Sequence, residues 1–126
     1  MNGLVLDAGA LIAIDRNDRD MLSRVKRAWR NGEPAVTNPM AVAQVWRDGK
    51  RQATLAKALR DVEIRPITAA DGRRAGELLG AAQTKDAVDA TVALLTRSGN
   101  RLYTSDPGDL RTLCETAGIR AVVVGC

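Results

Sequence analysis

The sequence predicts an α/β fold, a parallel sheet of about four to five short strands sandwiched by helices (α/β/α), in a single domain over residues 1–126. Three observations predict it. Short apolar runs alternate with stretches of helical spacing along the chain, the pattern of strands joined by helical crossovers. Most of these runs are followed by a polar turn or a helix-start signal. The length of 126 residues suits one core burying roughly two-thirds of the unfolded surface, and no linker, repeat or low-complexity tract divides it.

Leu4-Val5-Leu6 is a buried strand stopping at Asp7-Ala8-Gly9, and Ala10 to Ile14 begins a helix. Leu22, Val25, Ala28 and Trp29 recur at helical spacing in the basic segment Arg19 to Arg30, which Asn31-Gly32 stops. Ala35-Val36-Thr37 is the second strand, and Thr37 or Asn38 caps a helix with Pro39 in its first turn. That helix carries Val42, Val45 and Trp46 on its apolar side. Gly49 breaks it, and Ala53 to Leu59 resumes the pattern.

Val62 to Ile67 alternates apolar and polar residues, with Pro66 confining any strand there to an edge or an early end. Thr68-Ala69-Ala70-Asp71 starts a helix continued by Ala75, Leu78 and Leu79 to Gly80. Another starts near Thr84 or Lys85, with a wide apolar stripe from Ala87 to Leu95, and stops at Ser98-Gly99-Asn100. Arg101 to Thr104 is a core strand, Ser105 to Asp109 a turn, Leu110 to Ala117 a helix, and Ala121 to Val124 the last strand. The two tryptophans lie on amphipathic helices and are expected in core or interface packing.

Composition removes several function classes. Aromatic residues make up 2% of the chain, too few for base-stacking platforms that hold single strands. With no His, the chain has no Ser-His-Asp or Cys-His catalysis, no HExxH zinc site and no His-ligated haem. Acid-base or metal chemistry falls to carboxylates. Cys114 and Cys126 have no metal-ligand spacing and read as reduced thiols, packed or at the surface. No apolar run approaches the ~20 residues that span a bilayer, and Asp7 inside the first apolar stretch argues against a secretion signal. A cytoplasmic protein is expected. Nineteen Lys and Arg against fifteen Asp and Glu leave a net charge of +4, which favours a polyanionic partner.

In open parallel sheets, ligands bind beyond the carboxyl ends of the strands, near the point where strand order reverses. Asp7 ends the first strand, and Asp106 follows the Arg101 to Thr104 strand. Asp86 and Asp89 lie at i and i+3 near a helix start. A strand-end Asp is often a turn former, and one near a helix start is often a cap. Asp89 is different: it interrupts Ala87-Val88-Asp89-Ala90-Thr91-Val92-Ala93, where a carboxylate flanked by core needs a partner. Acids that converge repel one another unless a cation is present, and an oxygen-only donor set suits Mg²⁺ or Mn²⁺. With these four acids gathered in one mouth, eleven acids face nineteen bases elsewhere.

Val5-Leu6-Asp7-Ala8-Gly9-Ala10-Leu11-Ile12, Ala41-Val42-Ala43-Gln44-Val45-Trp46-Arg47, Asp89-Ala90-Thr91-Val92-Ala93-Leu94 and Thr104-Ser105-Asp106 occur in this order. Together they resemble the PIN-domain family, and within it the VapC-type toxins, the ribonuclease halves of bacterial toxin-antitoxin pairs. The resemblance covers essentially the whole chain. It implies an α/β/α sandwich whose clustered acids bind Mg²⁺ or Mn²⁺ and hydrolyse RNA. Asp7, Asp89 and Asp106 match the first, third and fourth acidic positions, as catalytic residues and metal ligands. Asp86 is an additional candidate ligand, and Thr104 matches the hydroxyl residue before the last acid. The resemblance further implies a homodimer and a small antitoxin partner that occludes the acidic mouth.

One position departs from the family pattern. The second acidic position, usually Glu, is Gln44, which offers a metal only its amide oxygen. Two readings follow: a metal-dependent endoribonuclease toxin, or a PIN-like module that holds RNA or protein with weakened or no catalysis. A third, an aspartyl phosphoryl-transfer domain with Asp7 as nucleophile, lacks the expected DxD, because Gly9 stands where the second Asp belongs. Basic residues from Arg19 to Arg30, with Arg47, Lys50 and Arg51, are candidate phosphate contacts.

Overall fold

A computed structural model describes residues 3–126. The elements, in chain order, are β1 (Leu4–Leu6), α1 (Ala8–Asp15), α2 (Arg19–Arg30), β2 (Ala35–Thr37), α3 (Pro39–Val45), α4 (Ala53–Leu59), β3 (Glu63–Ile64), α5 (Ala69–Ala82), α6 (Ala87–Leu95), β4 (Arg101–Thr104), α7 (Pro107–Thr116) and β5 (Val122–Gly125). All five strands are parallel, in the order β3-β2-β1-β4-β5. The chain winds outward from β1 to β2 and β3, then returns to lay β4 on the other side of β1 and β5 beyond it. Strand order thus reverses between β1 and β4.

Helix packing separates into two groups. α1 packs on α2, α3 and α4, while α5, α6 and α7 pack on one another. These groups cover the two faces of the sheet, so β1 is buried along its length and β4 nearly so. A parallel strand covered on both faces must be apolar throughout, which is why Leu4-Val5-Leu6 does not alternate. Leu4, Leu6, Leu11, Ile14, Leu102 and Leu110 are among the largest fully buried side chains.

Several local signals act as their chemistry dictates. Asn38 caps α3, its Oδ1 accepting from Ala41 N at 2.9 Å, with Pro39 in the first turn. Thr68 and Asp71 form a reciprocal capping box on α5. Gly32 ends α2 at φ 66°, a conformation that costs glycine little.

Other boundaries depart from the sequence reading. β3 keeps only Glu63–Ile64 at the sheet edge, because Pro66 has no N–H to continue a ladder. α5 runs past Gly80 to Ala82, ended by the left-handed Gln83. α6 ends at Leu95 rather than near Ser98, where Thr96 turns extended and donates its hydroxyl to Val92 O. α7 begins at Pro107 rather than Leu110, since proline is preorganised for a first helical turn. Trp46 leaves α3 as its C-terminal cap and is 37% exposed, and Trp29 is 63% exposed, so neither tryptophan is a core residue. Cys114 is a buried free thiol and Cys126 an exposed one, in keeping with the sequence reading.

Candidate metal centre

The switch between β1 and β4 places Asp7 and Asp106 at the carboxyl ends of adjacent strands. Asp7 is 3% exposed and donates its backbone N–H to Tyr103 O at 3.0 Å, so the sheet ladder continues into the site. Its Oδ1 accepts from Ala8 N at 2.8 Å, starting α1, and its Oδ2 accepts from the Thr104 hydroxyl at 2.7 Å. The same Thr104 oxygen accepts from Asp106 N at 3.0 Å. One fully buried hydroxyl therefore sets the position of both acids. Burial drives the Asp7 carboxyl above the ordinary carboxylate value, the bonds from Thr104 and Ala8 pull it back, and the charges of Asp86 and Asp106 push it further up.

Gly9 is what allows the two strand ends to approach. A Cβ there would lie 2.5 Å from Ser105 N and 2.6 Å from Ser105 Cβ. The turn from α1 thus sits directly against the segment that carries Asp106.

Asp86 caps α6, its Oδ1 accepting from Asp89 N at 2.9 Å, and its side chain is otherwise exposed. Asp89 lies in the first turn of α6 and is 8% exposed. No described donor reaches its carboxylate. Desolvation, followed by the charges of Asp7, Asp86, Asp106 and Asp109, raises its pKa to about 7. The sequence pattern that made Asp89 conspicuous corresponds to a buried carboxylate surrounded by acids.

Carboxylate oxygens of Asp89, Asp106 and Asp109 lie within 4.8 Å of one another. Asp109 is a member that the sequence reading missed, because the segment Ser105 to Asp109 reads as a turn. The available signal was the i, i+3 spacing of Asp106 and Asp109, the same spacing as Asp86 and Asp89. It becomes meaningful only once α7 is known to start at Pro107. A hydrogen bond shared with the Asp106 carboxyl raises the Asp109 pKa, helped by the Asp106 and Asp86 charges.

The donor chemistry fits a hard divalent cation: several carboxylates, no imidazole in the chain, and one buried carboxylate without a donor. Gln44 is exposed on α3. Arg47 is one of the candidate phosphate contacts. Its guanidinium donates to the carbonyls of Ala43, Gln44 and Trp46 at 2.9, 3.2 and 2.7 Å, closing the end of α3. It is engaged in helix termination, whereas Arg51 pairs with Asp48 at 3.8 Å in solvent. A cleft of about 480 Å³ runs along α1, with Gly9, Arg16, Asp18 and Ser105 in its lining.

No protein-family model matches the chain, and no curated protein matches it. Solved structures do. The structure of VapBC2 from Rickettsia felis bound to a DNA fragment from their promoter matches at a TM-score of 0.68, with 13% identity, over 98% of this chain and 99% of that one. A match over nearly the whole of both chains at so low an identity is a likeness of fold, and it agrees with the strand order and the two helical layers described above. No helix among the described residues is long and apolar enough to cross a membrane. The chain has a VapC-type PIN fold.

Proposed function

We propose that the chain is a metal-dependent endoribonuclease toxin of a VapBC-like pair, hydrolysing RNA phosphodiesters at an acidic Mg²⁺ or Mn²⁺ site. The observation that carries this reading is the cluster of Asp89, Asp106 and Asp109 carboxylates beside the switch point of the sheet, with Asp7 and Asp86 near enough for their charges to raise the Asp89 pKa. Asp7, Asp89 and Asp106 are the proposed catalytic residues, and these with Asp86 the proposed ligands. A bound cation supplies Lewis acidity and a more acidic water for attack on phosphorus.

The chain's own groups have distinct parts in this reading. Thr104 holds the Asp7 carboxylate and the Asp106 backbone through its single hydroxyl. Asp89 holds a proton up to about neutral pH when no counter-charge is present. An antitoxin partner is supported by the VapBC2 likeness. A homodimer and a cytoplasmic location remain expectations of the resemblance. Met40 and Trp46, exposed at the two ends of α3, offer apolar surface to a partner.

RNA cleavage with Mg²⁺ or Mn²⁺ is the direct test, with Asp7→Asn and Asp89→Asn each expected to lose at least about 100-fold of the rate, the loss of one strong electrostatic contribution. Cleavage at the parental rate by both variants refutes the site. Gln44 favours a second reading, a module that binds RNA or protein and does not cut. Under that reading RNA binding is salt-sensitive without cleavage in any divalent ion, and Gln44→Glu restores activity.

A further inference from the structure

Resting on the reading that this mouth holds a divalent cation, we propose that Asp109 is a metal ligand, adding a carboxylate from the first turn of α7 to those of Asp89 and Asp106. Asp109 shares the 4.8 Å cluster with Asp89 and Asp106. In an octahedral Mg²⁺ shell with ligand oxygens ~2.1 Å from the ion, neighbouring oxygens are ~3 Å apart and opposite ones ~4.2 Å. Small side-chain rotations bring three oxygens at this separation into such a shell, and two of them come from exposed side chains free to turn.

Asp89 is the independent reason to look for a cation there. It is only 8% exposed, accepts no hydrogen bond from a described residue, and has no Lys or Arg paired with it among the described residues. A buried carboxylate in that state needs a counter-charge. The carboxylates clustered with it are Asp106 and Asp109, so the counter-charge belongs between α6 and α7.

The other acids are less available. Asp7 has both oxygens engaged, one by Ala8 N and one by Thr104. Asp86 already spends Oδ1 on capping α6. The ordinary explanation for an Asp in a first helical turn is attraction to the helix N-terminus. That attraction does not by itself set the Asp109 carboxylate against those of Asp106 and Asp89, where their oxygens would share a cation.

The test uses the full chain without RNA. Mn²⁺ is titrated into the parent, Asp109→Asn, Asp109→Glu and Asp89→Asn, reading free Mn²⁺ by electron paramagnetic resonance, with melting in EDTA as the check on folding. Asp109→Asn is expected to weaken Mn²⁺ binding by at least about tenfold while still folding, and Asp109→Glu to recover part of the loss. If Asp109→Asn binds with the parental Kd while Asp89→Asn does not bind, Asp109 is a first-turn charge only and the proposal fails with the site intact. If the parent itself takes up no Mn²⁺, the metal reading fails and the proposal with it.

Discussion

Replacing Asp89 by Asn stabilises the metal-free protein at neutral and alkaline pH. The magnitude follows from the site. Asp89 ionises at about 7 in the folded chain against an ordinary value of 3.8, because it is desolvated and faces four other acids. A raised folded pKa means that between these values the native state keeps a proton the unfolded state has released. Stability from this group is therefore fully present below about pH 4, falls as pH rises to about 7, and is flat above. The slope is at most about 1.4 kcal/mol per pH unit. Integrated across the window the upper bound is about 4 kcal/mol, and water reaching the open mouth screens it to nearer 2.

The side-chain amide of Asn keeps the shape and carries no charge, so the cost vanishes. In EDTA at pH 8 the variant should be about 2–4 kcal/mol more stable than the parent, and at pH 4 nearly equal to it. For 2 kcal/mol the gain in Tm is about 6–12 °C at this chain length. Urea melts from pH 4 to 8.5 read the difference between the two curves, which removes the contribution of every other carboxylate. Millimolar Mg²⁺ should erase most of the difference by supplying the missing counter-charge to the parent. A variant less stable than the parent at pH 8 in EDTA, or a difference that does not change with pH, refutes the reasoning. The trade is stability for a site that stores repulsion until a cation arrives.

Thr104→Val removes a buried, charge-assisted bond to Asp7 and the acceptor for Asp106 N–H; it should cost about 2–3 kcal/mol in urea melts, with Thr104→Ser recovering most of it. Gly9→Ala gains about 1 kcal/mol of helix propensity but drives a Cβ into the Ser105 backbone. Overpacking of about 1–3 kcal/mol should outweigh the gain, so the variant melts lower, and the proposed nuclease activity falls further because the Asp106 segment moves. A Gly9→Ala protein with parental stability and activity shows that the turn yields freely.

Legibility in the sequence differs from one site residue to the next. Asp7 and Asp106 follow apolar runs, and the rule that ligands gather beyond strand ends brings them to one mouth once the sheet is parallel. Asp89 was legible for a different reason, a charge inside an apolar helical stripe. Asp109 was not, because its meaning depends on where α7 starts, and a proline two residues into a Ser-Asp-Pro-Gly-Asp stretch reads as readily as a turn as a helix start. Arg47 looked like a phosphate contact because its charge is visible in sequence, while the three carbonyls that occupy it are created only by the end of α3.

The sequence by itself determined the fold class, the strands around β1, and the chemical type of the site, because these depend on local patterning and on which residue types are present. A chain without His, whose two Cys have no metal-ligand spacing and whose Asp residues follow its strands, offers carboxylates as its ligand candidates. Tertiary structure decided which acids meet. The winding order sets β4 beside β1, the absent Cβ of Gly9 lets Ser105 close on α1, and the Thr104 hydroxyl joins the Asp7 carboxylate to the backbone N–H of Asp106, 99 residues away in the chain. Those are distances between segments, and local spacing carries no information about them.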